Sequence, residues 1–266
     1  MKYSDNASKL KPSITLSITA KAKELKAKGK DVIGFGAGEP DFDTPDHIVK
    51  ACKDALDSGK TKYIPASGLP ELKEAVKNKL KRDNNLEYDN NQIIITTGGK
   101  QALSNVFTAM LNPGDEVMMA IPYWVTYPDL VSLNGGVNVF VETEKENDYK
   151  YTKENLLKFV SEKTKILVLN SPSNPLGVVY SKGELTMIAD FCKEHDIFII
   201  SDEIYEPLVY DNEEHISIAS LSEDAFNRTL TVNSLSKSYS MTGWRIGYAA
   251  GPLKLIKLMT TIQSHT

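Results

Sequence analysis

The stretch QIIITTGGKQALSNVFTAML, residues 92–111, carries the pattern that decides the fold. Its β-branched first part, Gln92–Thr97, is typical of a buried strand, and a helical pattern follows over Gln101–Leu111 after two glycines. The turn Asn112–Asp115 then leads into a second β-rich run, Glu116–Ala120. This order of strand, helix and strand is the repeating unit of α/β proteins.

The same alternation continues towards the C-terminus and predicts the rest of a sheet. Apolar and β-branched runs predict strands over Val137–Glu142, Lys165–Asn170, Asp196–Ser201, Thr229–Asn233 and Trp244–Ala250. Helical patterns between them cover Tyr127–Leu133, Lys153–Val160 and the segment after Ser181, which has the capping-box spacing to Glu184. We therefore predict a mostly parallel sheet with helices on both faces.

The two ends of the chain differ from this central part. Residues 1–13 are typical of an exposed arm, Ser17–Lys28 of a lysine-rich amphipathic helix, and Gly34–Thr44 of a crossing segment rich in Gly, Pro and Asp. The C-terminal run Leu253–Ile262 has an apolar helical pattern without a C-cap signal behind it. We therefore expect the complete protein to continue beyond this helix.

Composition and charge exclude several classes of protein. The 266 residues carry 31 basic and 35 acidic side chains, a net charge of −4, so no nucleic-acid partner is predicted. The apolar runs are only strand-sized, which predicts no membrane partner. Cys52 and Cys192 lie far apart without neighbouring histidines, which predicts neither a disulfide nor a metal site, and we expect a cytoplasmic protein.

A lysine and an arginine in one short segment give the most specific chemical signal. The motif SLSK, residues 234–237, follows a predicted strand, and Arg245, one of only three arginines, lies eight residues beyond Lys237. A lysine amine can form a Schiff base, and neighbouring hydroxyl and guanidinium groups can bind a phosphate. This combination suits pyridoxal phosphate chemistry.

Other segments at strand ends could bind a ligand or serve structure alone. Gly98–Lys100 stands at a helix start that could bind a phosphate, and Asp202 with Glu203 stands either at a ligand-binding sheet edge or at an acidic helix start. Trp124 could stack on a flat ligand or pack in the core. The segment GFGAG that ends at Gly38 lacks the last glycine of a dinucleotide fingerprint, which argues against that cofactor.

Taken in order, these segments resemble the class I and II aminotransferases, the aspartate aminotransferase family of fold type I. The matching motifs are AGEPDFDTP (37–45), KYIPASG (62–68), TGGKQAL (97–103), PYWVTYPD (122–129), NSPSNPLG (170–177), SDEIYE (201–206) and SLSKSYSMTGWRIGY (234–248). The first and third are most similar to bacterial aspartate aminotransferases, some of which also accept prephenate. The resemblance implies a pyridoxal-phosphate-binding large domain over residues 46–266, an arm and part of a small domain over residues 1–45, and a C-terminal small domain that is absent.

The resemblance also implies a role for each matching residue, with pyridoxal 5'-phosphate as the cofactor. Lys237 matches the lysine that binds the cofactor and moves the substrate proton, and Asp202 matches the aspartate that faces the ring nitrogen. Tyr205 and Asn174 match the donors to the ring oxygen, and Trp124 matches the aromatic that stacks on the ring. The implied phosphate ligands are Ser234, Ser236 and Arg245, with Gly99 and Lys100 at the helix start.

Substrate and subunit contacts follow from the same resemblance. Gly38, Trp124 and Asn174 match residues that contact the substrate, and Lys100 stands where a cation could bind a second carboxylate. Tyr63 matches a tyrosine that reaches the cofactor phosphate of the neighbouring subunit, which implies a homodimer with a shared active site.

This sequence departs from the family pattern in two respects. Leu176 replaces the threonine of the common NPTG form, and family members are longer than this chain. The arginine that binds the substrate's α-carboxylate belongs to the C-terminal part, and none of the arginines here matches it. We therefore expect these residues alone to bind the cofactor but to have little activity.

The implied reaction moves an amino group between an L-amino acid and 2-oxoglutarate, with aspartate as the expected amino donor. Three alternatives stay open. The substrate could be prephenate or another amino acid, the reaction could be that of a lyase or decarboxylase of the same fold type, and the chain could be a cofactor-binding form without catalysis.

Overall fold

The computed structural model describes residues 2–4, 8, 10, 12, 14–36 and 38–266, with only the backbone at residues 14–16. The described residues form one sheet of seven strands: β1 Ile93–Thr96, β2 Glu116–Ile121, β3 Val137–Glu142, β4 Thr164–Asn170, β5 Phe198–Asp202, β6 Thr229–Ser234 and β7 Gly247–Ala250. Its α-helices in these ranges are α1 Ile14–Ala27, α2 Asp46–Asp57, α3 Pro70–Asn84, α4 Gly99–Met110, α5 Thr126–Leu133, α6 Lys153–Phe159, α7 Lys182–Glu194, α8 Glu223–Asn227, α9 Leu235–Ser238 and α10 Leu253–Gln263.

The predicted α/β class is confirmed, and each predicted strand is present. The capping box predicted from Ser181 and Glu184 begins α7. Helices α2 and α3 are additional to the predicted elements. The arm predicted over residues 1–13 lies largely outside the described residues. No helix within the described ranges is both long and apolar enough to cross a membrane.

The strand order across the sheet is β1-β7-β6-β5-β4-β2-β3. The pairs β2–β3, β2–β4, β4–β5 and β5–β6 are parallel, whereas β7 runs antiparallel to both of its neighbours, β1 and β6. A parallel neighbour needs a long crossover connection, and the segment from β6 to β7 holds only the short helix α9 and one 3-10 turn, Thr242–Trp244. The chain therefore turns back, which the sequence patterns alone did not predict.

Both faces of the sheet are covered by helices, as predicted. In β4, Ile166 and Val168 pack into one core with α4 and α10, while Leu167 and Leu169 pack into the other core with α7. This alternation is the two-residue period of a strand buried on both faces. The parallel strands β2, β4, β5 and β6 end at one edge of the sheet, where ligands bind in such folds.

The N-terminus of β7 packs against the loop between β1 and α4 so closely that only glycine fits. A Cβ atom on Gly247 would lie 2.4 Å from the carbonyl carbon of Gly98 and 2.5 Å from the nitrogen of Gly99. Both obstructing atoms belong to the backbone, which cannot move aside as a flexible side chain can. Gly98 itself has a φ of +79°, in the left-handed region that favours glycine.

We predict that Gly247→Ala lowers the free energy of unfolding by about 1–3 kcal/mol, because the added methyl group overpacks this contact. Gly183→Ala is the matched control, since a Cβ atom there meets nothing within 4 Å. Because Gly183 lies in α7, this control should raise stability by up to about 1 kcal/mol. Urea unfolding of the two variants measures the change in unfolding free energy that each substitution causes. Equal changes in the two variants would contradict the close approach of Gly247 to the Gly98–Gly99 backbone.

Candidate functional site

A cavity of about 530 Å³ opens at the carboxyl edge of the sheet, within the size range of small-molecule sites. Its walls come from the ends of β4 and β5, the start of α4, the start of α9, and the segment before α2. Eight of the residues predicted for the site line this cavity: Gly38, Gly99, Lys100, Trp124, Asn174, Asp202, Tyr205 and Lys237.

Asp202, the last residue of β5, lies at the bottom of the cavity and is only 5% exposed. The hydroxyl of Tyr127 donates a hydrogen bond of 2.7 Å to its Oδ2 atom, and the backbone N–H of Ile204 donates one of 3.4 Å to Oδ1. Burial raises the pKa of Asp202 to about 6, against the opposing effect of these two hydrogen bonds. Within the described part of the chain, no cation pairs with this carboxylate.

Tyr127 is a site residue that the sequence analysis assigned only to a helix. It is buried, and its ring meets that of Trp124 edge to face, with 5.4 Å between the ring centroids. The signal that could have found it is its place in the motif PYWVTYPD, three residues after Trp124, to whose carbonyl its backbone N–H donates a 3.1 Å hydrogen bond. Trp124 itself fits both interpretations, since it packs against the core and also lines the cavity.

Asn174 and Tyr205 lie together on one wall of the cavity. The side-chain nitrogen of Asn174 lies 3.4 Å from the hydroxyl oxygen of Tyr205. Asn170, at the end of β4, orients this wall, because its side chain accepts a 2.7 Å hydrogen bond from the Asn174 backbone and donates a 2.8 Å one to the carbonyl of Asp202. Asn170 is a second residue that the sequence analysis missed, although it begins the NSPSNPLG motif.

Lys237 lies in the first turn of α9, with its amine directed into the cavity. The amine donates a hydrogen bond to the carbonyl oxygen of Gly38 and lies 6.0 Å from the centroid of the Tyr205 ring. Burial lowers the pKa of the Lys237 amine, Glu39 opposes this shift, and the positive charge of Arg245 adds to it. An amine with a lowered pKa is unprotonated in a larger fraction of molecules, so more of it is available as a nucleophile and base.

Beside the cavity, the start of α4 and the residues around α9 form a site suited to an anion. A Cβ atom on Gly98 would lie 2.3 Å from Nη2 of Arg245, so the guanidinium rests directly against this glycine loop. A Cβ atom on Gly99 would lie 3.9 Å from the Cβ atom of Ser234. The hydroxyl of Ser234 accepts a 3.0 Å hydrogen bond from the backbone N–H of Ser236. A helix N-terminus, a guanidinium and hydroxyl groups are the donors that a phosphate prefers.

Two other sequence candidates lie outside this arrangement. Tyr63 is fully exposed and does not line the cavity of its own chain, so its contact with a neighbouring subunit stays a prediction. Glu203 faces away from the cavity, where its carboxylate accepts hydrogen bonds of 2.8 Å from the hydroxyls of Ser201 and Ser217 and lies 3.0 Å from His215. Of the two adjacent carboxylates, only Asp202 faces the cavity.

The described residues include one group of possible metal ligands, formed by Glu203, Glu206 and His215. Lys79 already pairs with Glu206, and Glu203 already has the partners described above. Both carboxylates therefore have partners within the protein without an ion.

The donor set fits pyridoxal phosphate. A buried carboxylate without a cationic partner, that of Asp202, suits a protonated ring nitrogen. Asn174 and Tyr205 offer donors to a ring oxygen, and the anion site described above suits the phosphate. The Lys237 amine lies in the same cavity and could hold the cofactor covalently.

Comparisons with known proteins agree with this geometry. The family model of aminotransferase class I and II matches residues 30–266. The chain belongs to this family. Its members are pyridoxal-phosphate-dependent aminotransferases, which confirms the family, the reaction class and the cofactor predicted from the sequence.

The chain is similar to several bacterial relatives over its whole length. It is 53% identical over 266 residues to the aspartate aminotransferase of Bacillus subtilis, which covers 100% of this chain and 68% of that protein. It is 54% identical over 259 residues to the probable aspartate/prephenate aminotransferase of Aquifex aeolicus, which covers 97% of this chain and 66% of that protein. The chain therefore spans about two thirds of the length of these relatives.

A solved structure with the same fold is that of the Thermus thermophilus aspartate aminotransferase with maleate. The TM-score is 0.97 at 47% identity, and the match covers 100% of this chain and 69% of that chain. The fold is therefore that of the fold type I aminotransferases, as the sequence predicted.

We predict that Asp202→Asn stabilises the cofactor-free protein in a pH-dependent way. The pKa of the folded protein, about 6, lies above the ordinary 3.8, so ionisation of Asp202 costs stability as the pH rises from about 4 to about 6. The variant lacks this cost, so its advantage should be absent near pH 4 and reach about 3 kcal/mol above pH 6.

Urea unfolding of both proteins across this pH range measures the difference. Tyr127→Phe is the companion variant, since loss of its hydrogen bond to the carboxylate should raise the pKa of Asp202 further and move the transition to higher pH. If the free energies of unfolding of Asp202→Asn and of the parent chain differ by the same amount at every pH, the result would contradict a buried carboxylate without a cationic partner.

Proposed function

We propose that the protein to which these residues belong transfers the amino group of L-aspartate to 2-oxoglutarate, with pyridoxal phosphate held at Lys237, and that residues 1–266 alone bind the cofactor but have little activity. The observation that carries the proposal is the pairing, in one cavity, of a buried carboxylate without a cationic partner and a lysine amine with a lowered pKa. The aspartate aminotransferase named in Bacillus subtilis supports the choice of substrate.

The proposed cofactor contacts are those that the resemblance to the family implies, and the positions of the side chains around the cavity support them. Asp202 faces the ring nitrogen, Trp124 stacks on the ring, and Asn174 with Tyr205 donates to the ring oxygen. The phosphate is bound by the start of α4 and by groups close to it: Gly99, Lys100, Ser234, Ser236 and Arg245. When bound, the cofactor withdraws electrons from the α-carbon of an amino acid and so makes its hydrogen acidic.

Three residues of the chain have different roles in proton transfer. Asp202, ionised, keeps a proton on the ring nitrogen, because an opposite charge at close range favours the charged form. Lys237, once its amine is free and unprotonated, would take the proton from the substrate's α-carbon and later return it to the carbon that joins the cofactor ring to the substrate's nitrogen. Tyr205, whose pKa is raised by burial and by Asp202, stays protonated and therefore acts as a donor.

Lys100 is proposed to select dicarboxylic substrates. It is exposed at the start of α4 and lines the cavity, with its amine 5.2 Å from the centroid of the Trp124 ring. The Thermus thermophilus relative was solved with maleate, a dicarboxylate, which supports this choice. A second candidate substrate is prephenate, since the Aquifex aeolicus relative carries that name as well.

We also propose a domain division, a subunit arrangement and a cellular location for the protein. Residues 46–266 form the cofactor-binding domain, and residues 1–45 form an arm and part of a small domain. The full exposure of Tyr63 leaves it available to a second copy of the chain, which supports a homodimer with Tyr63 at the neighbouring phosphate. The free thiols of Cys52 and Cys192 suit the reducing cytoplasm.

We predict that Lys237 alone carries the cofactor. Borohydride reduction of the cofactor-loaded protein, followed by peptide mapping, should find the label on this residue, and Lys237→Ala should lose it. Its activity should fall by at least about 10²–10⁴-fold, the usual contribution of general base catalysis. The control variant Lys257→Ala, exposed on α10, should keep both label and activity. A label on another lysine would overturn the assignment.

The reaction class is tested with the same protein. A transaminase needs a keto acid acceptor, so conversion of aspartate should depend on added 2-oxoglutarate and produce glutamate in equal amount. Conversion that proceeds at the same rate without an acceptor would instead support the lyase or decarboxylase alternative.

We predict that Lys100→Met lowers kcat/KM for aspartate by about 10- to 100-fold more than for alanine. The reason is that the side-chain carboxylate of aspartate loses its charge-assisted contact with Lys100, whereas alanine has no such carboxylate. Lys182→Met is the matched control, an exposed lysine in the first turn of α7 and therefore in a similar local setting. Steady-state kinetics with both amino donors measure the ratio, and equal losses for aspartate and alanine would remove Lys100 from substrate selection.

A further inference from the structure

Residues 38–44, here called the strap, begin at Gly38, which lines the cavity, and are fastened at both ends to one loop. This loop, here called the anchor loop, runs from Lys237 to Arg245. At the first end of the strap, Lys237 donates to the carbonyl of Gly38 and the hydroxyl of Thr242 donates to the carboxylate of Glu39. The strap thus lies on the loop that carries both the lysine and the arginine of the site.

At the other end, a single hydroxyl makes the connection. Thr44 donates a 2.6 Å hydrogen bond from Oγ1 to the carbonyl of Ser240, and the same oxygen accepts a 2.9 Å hydrogen bond from Nε1 of Trp244. Both contacts are partly buried and join positions about 200 apart in sequence. A hydroxyl is needed here because it donates and accepts at one atom, whereas an aliphatic side chain of the same size does neither.

Internal hydrogen bonds and a constrained backbone link the parts of the anchor loop to one another. Ser240 and Arg245 have φ values of +51° and +58°, in the left-handed region that residues other than glycine rarely adopt. The guanidinium of Arg245 donates a 2.9 Å hydrogen bond to the carbonyl of Thr242, and the backbone of Trp244 donates to that of Met241. A change in the position of Arg245 is therefore transmitted to the residues that hold Thr44.

We propose that Thr44 is a positioning residue that couples anion binding at Arg245 to the placement of the strap. The proposal rests on the function proposed above, in which the cofactor phosphate is that anion. With the phosphate bound and Lys237 joined to the cofactor, the Lys237 amine is no longer free to hold Gly38. The contacts of Thr44 and Thr242 then hold the strap on the fixed anchor loop and keep the Gly38 carbonyl beside the cavity. Without the phosphate, the loop is freer and the strap opens, which admits cofactor and substrate.

The coupling is reciprocal, because a strap that favours one position of the loop favours the anion bound in that position by the same factor. Thr44 therefore contributes to cofactor retention without touching the cofactor. It also contributes to substrate binding, since Gly38, the proposed substrate contact, belongs to the strap.

Hydrogen–deuterium exchange of the strap amides tests the proposal directly. In the parent chain, pyridoxal phosphate should slow exchange at residues 38–44 by at least about 5-fold, the lower range of typical couplings between sites. Inorganic phosphate at saturating concentration should produce part of this protection. Thr44→Val should abolish the protection, and Thr44→Ser, which keeps the hydroxyl, should restore it. Trp244→Phe, which removes one of the two hydrogen bonds, should give an intermediate result.

Thr186→Val is the matched control, because its hydroxyl bonds only within the exposed face of α7. It should leave the protection of the strap unchanged. Thr44→Val should also raise KM for the amino acid more than it lowers kcat, since the substrate contact and not the proton-transfer group is displaced. Protection that is equal in Thr44→Val and in the parent chain would overturn the proposal, whatever the effect of the variant on global stability.

Failure of this proposal and failure of the proposed function give different results. If no label appears at Lys237 after borohydride reduction, the proposed function fails, while the inorganic phosphate measurement still tests the link between Arg245 and the strap. If the label appears but neither anion protects the strap of the parent chain, the coupling through Thr44 is wrong and the proposed function stands.

Discussion

A carboxylate buried at the end of a central strand is the constraint on which the proposed site depends. Asp202 has two hydrogen-bond donors and, in the described part of the chain, no cation, so its ionised form is costly in the free protein. A ligand that brings a positive charge to this position removes the cost, and by the same interaction lowers the pKa of Asp202. The fold therefore favours the binding of a protonated ring at this position even in the protein without a ligand.

The topology explains why the other proposed groups meet this carboxylate. The parallel strands place Asn170, Asp202 and Ser234 at one sheet edge, since each is the last residue of its strand. The antiparallel strand β7 begins at the same edge, where Gly247 pairs with Ser234, and Arg245, just before it, lies against Gly98. Asn170, Asp202 and Ser234 are thus held at the ends of rigid strands, whereas Lys237 and Arg245 lie at the two ends of the anchor loop.

Sequence reasoning was most successful where the signal was local. The periods of the apolar residues located all seven strands, and the motif SLSK with Arg245 pointed to the right chemistry. It failed where the information was in the pairing of distant segments. The direction of β7 is set by the short connection through α9, and the partners of Tyr127 and Asn170 are visible only after β4 and β5 are placed side by side. The opposite orientations of Asp202 and Glu203 likewise depend on which face of the sheet is packed.

The central claim is that Asp202 keeps the ring nitrogen of the bound cofactor protonated, and nitrogen-15 NMR of ring-labelled pyridoxal phosphate in the reconstituted protein tests it most directly. The account predicts the chemical shift of a protonated ring nitrogen throughout the neutral pH range in the parent chain and of an unprotonated one in Asp202→Asn. An unprotonated ring nitrogen in the parent chain at neutral pH, or the same protonation state in both proteins, would contradict it.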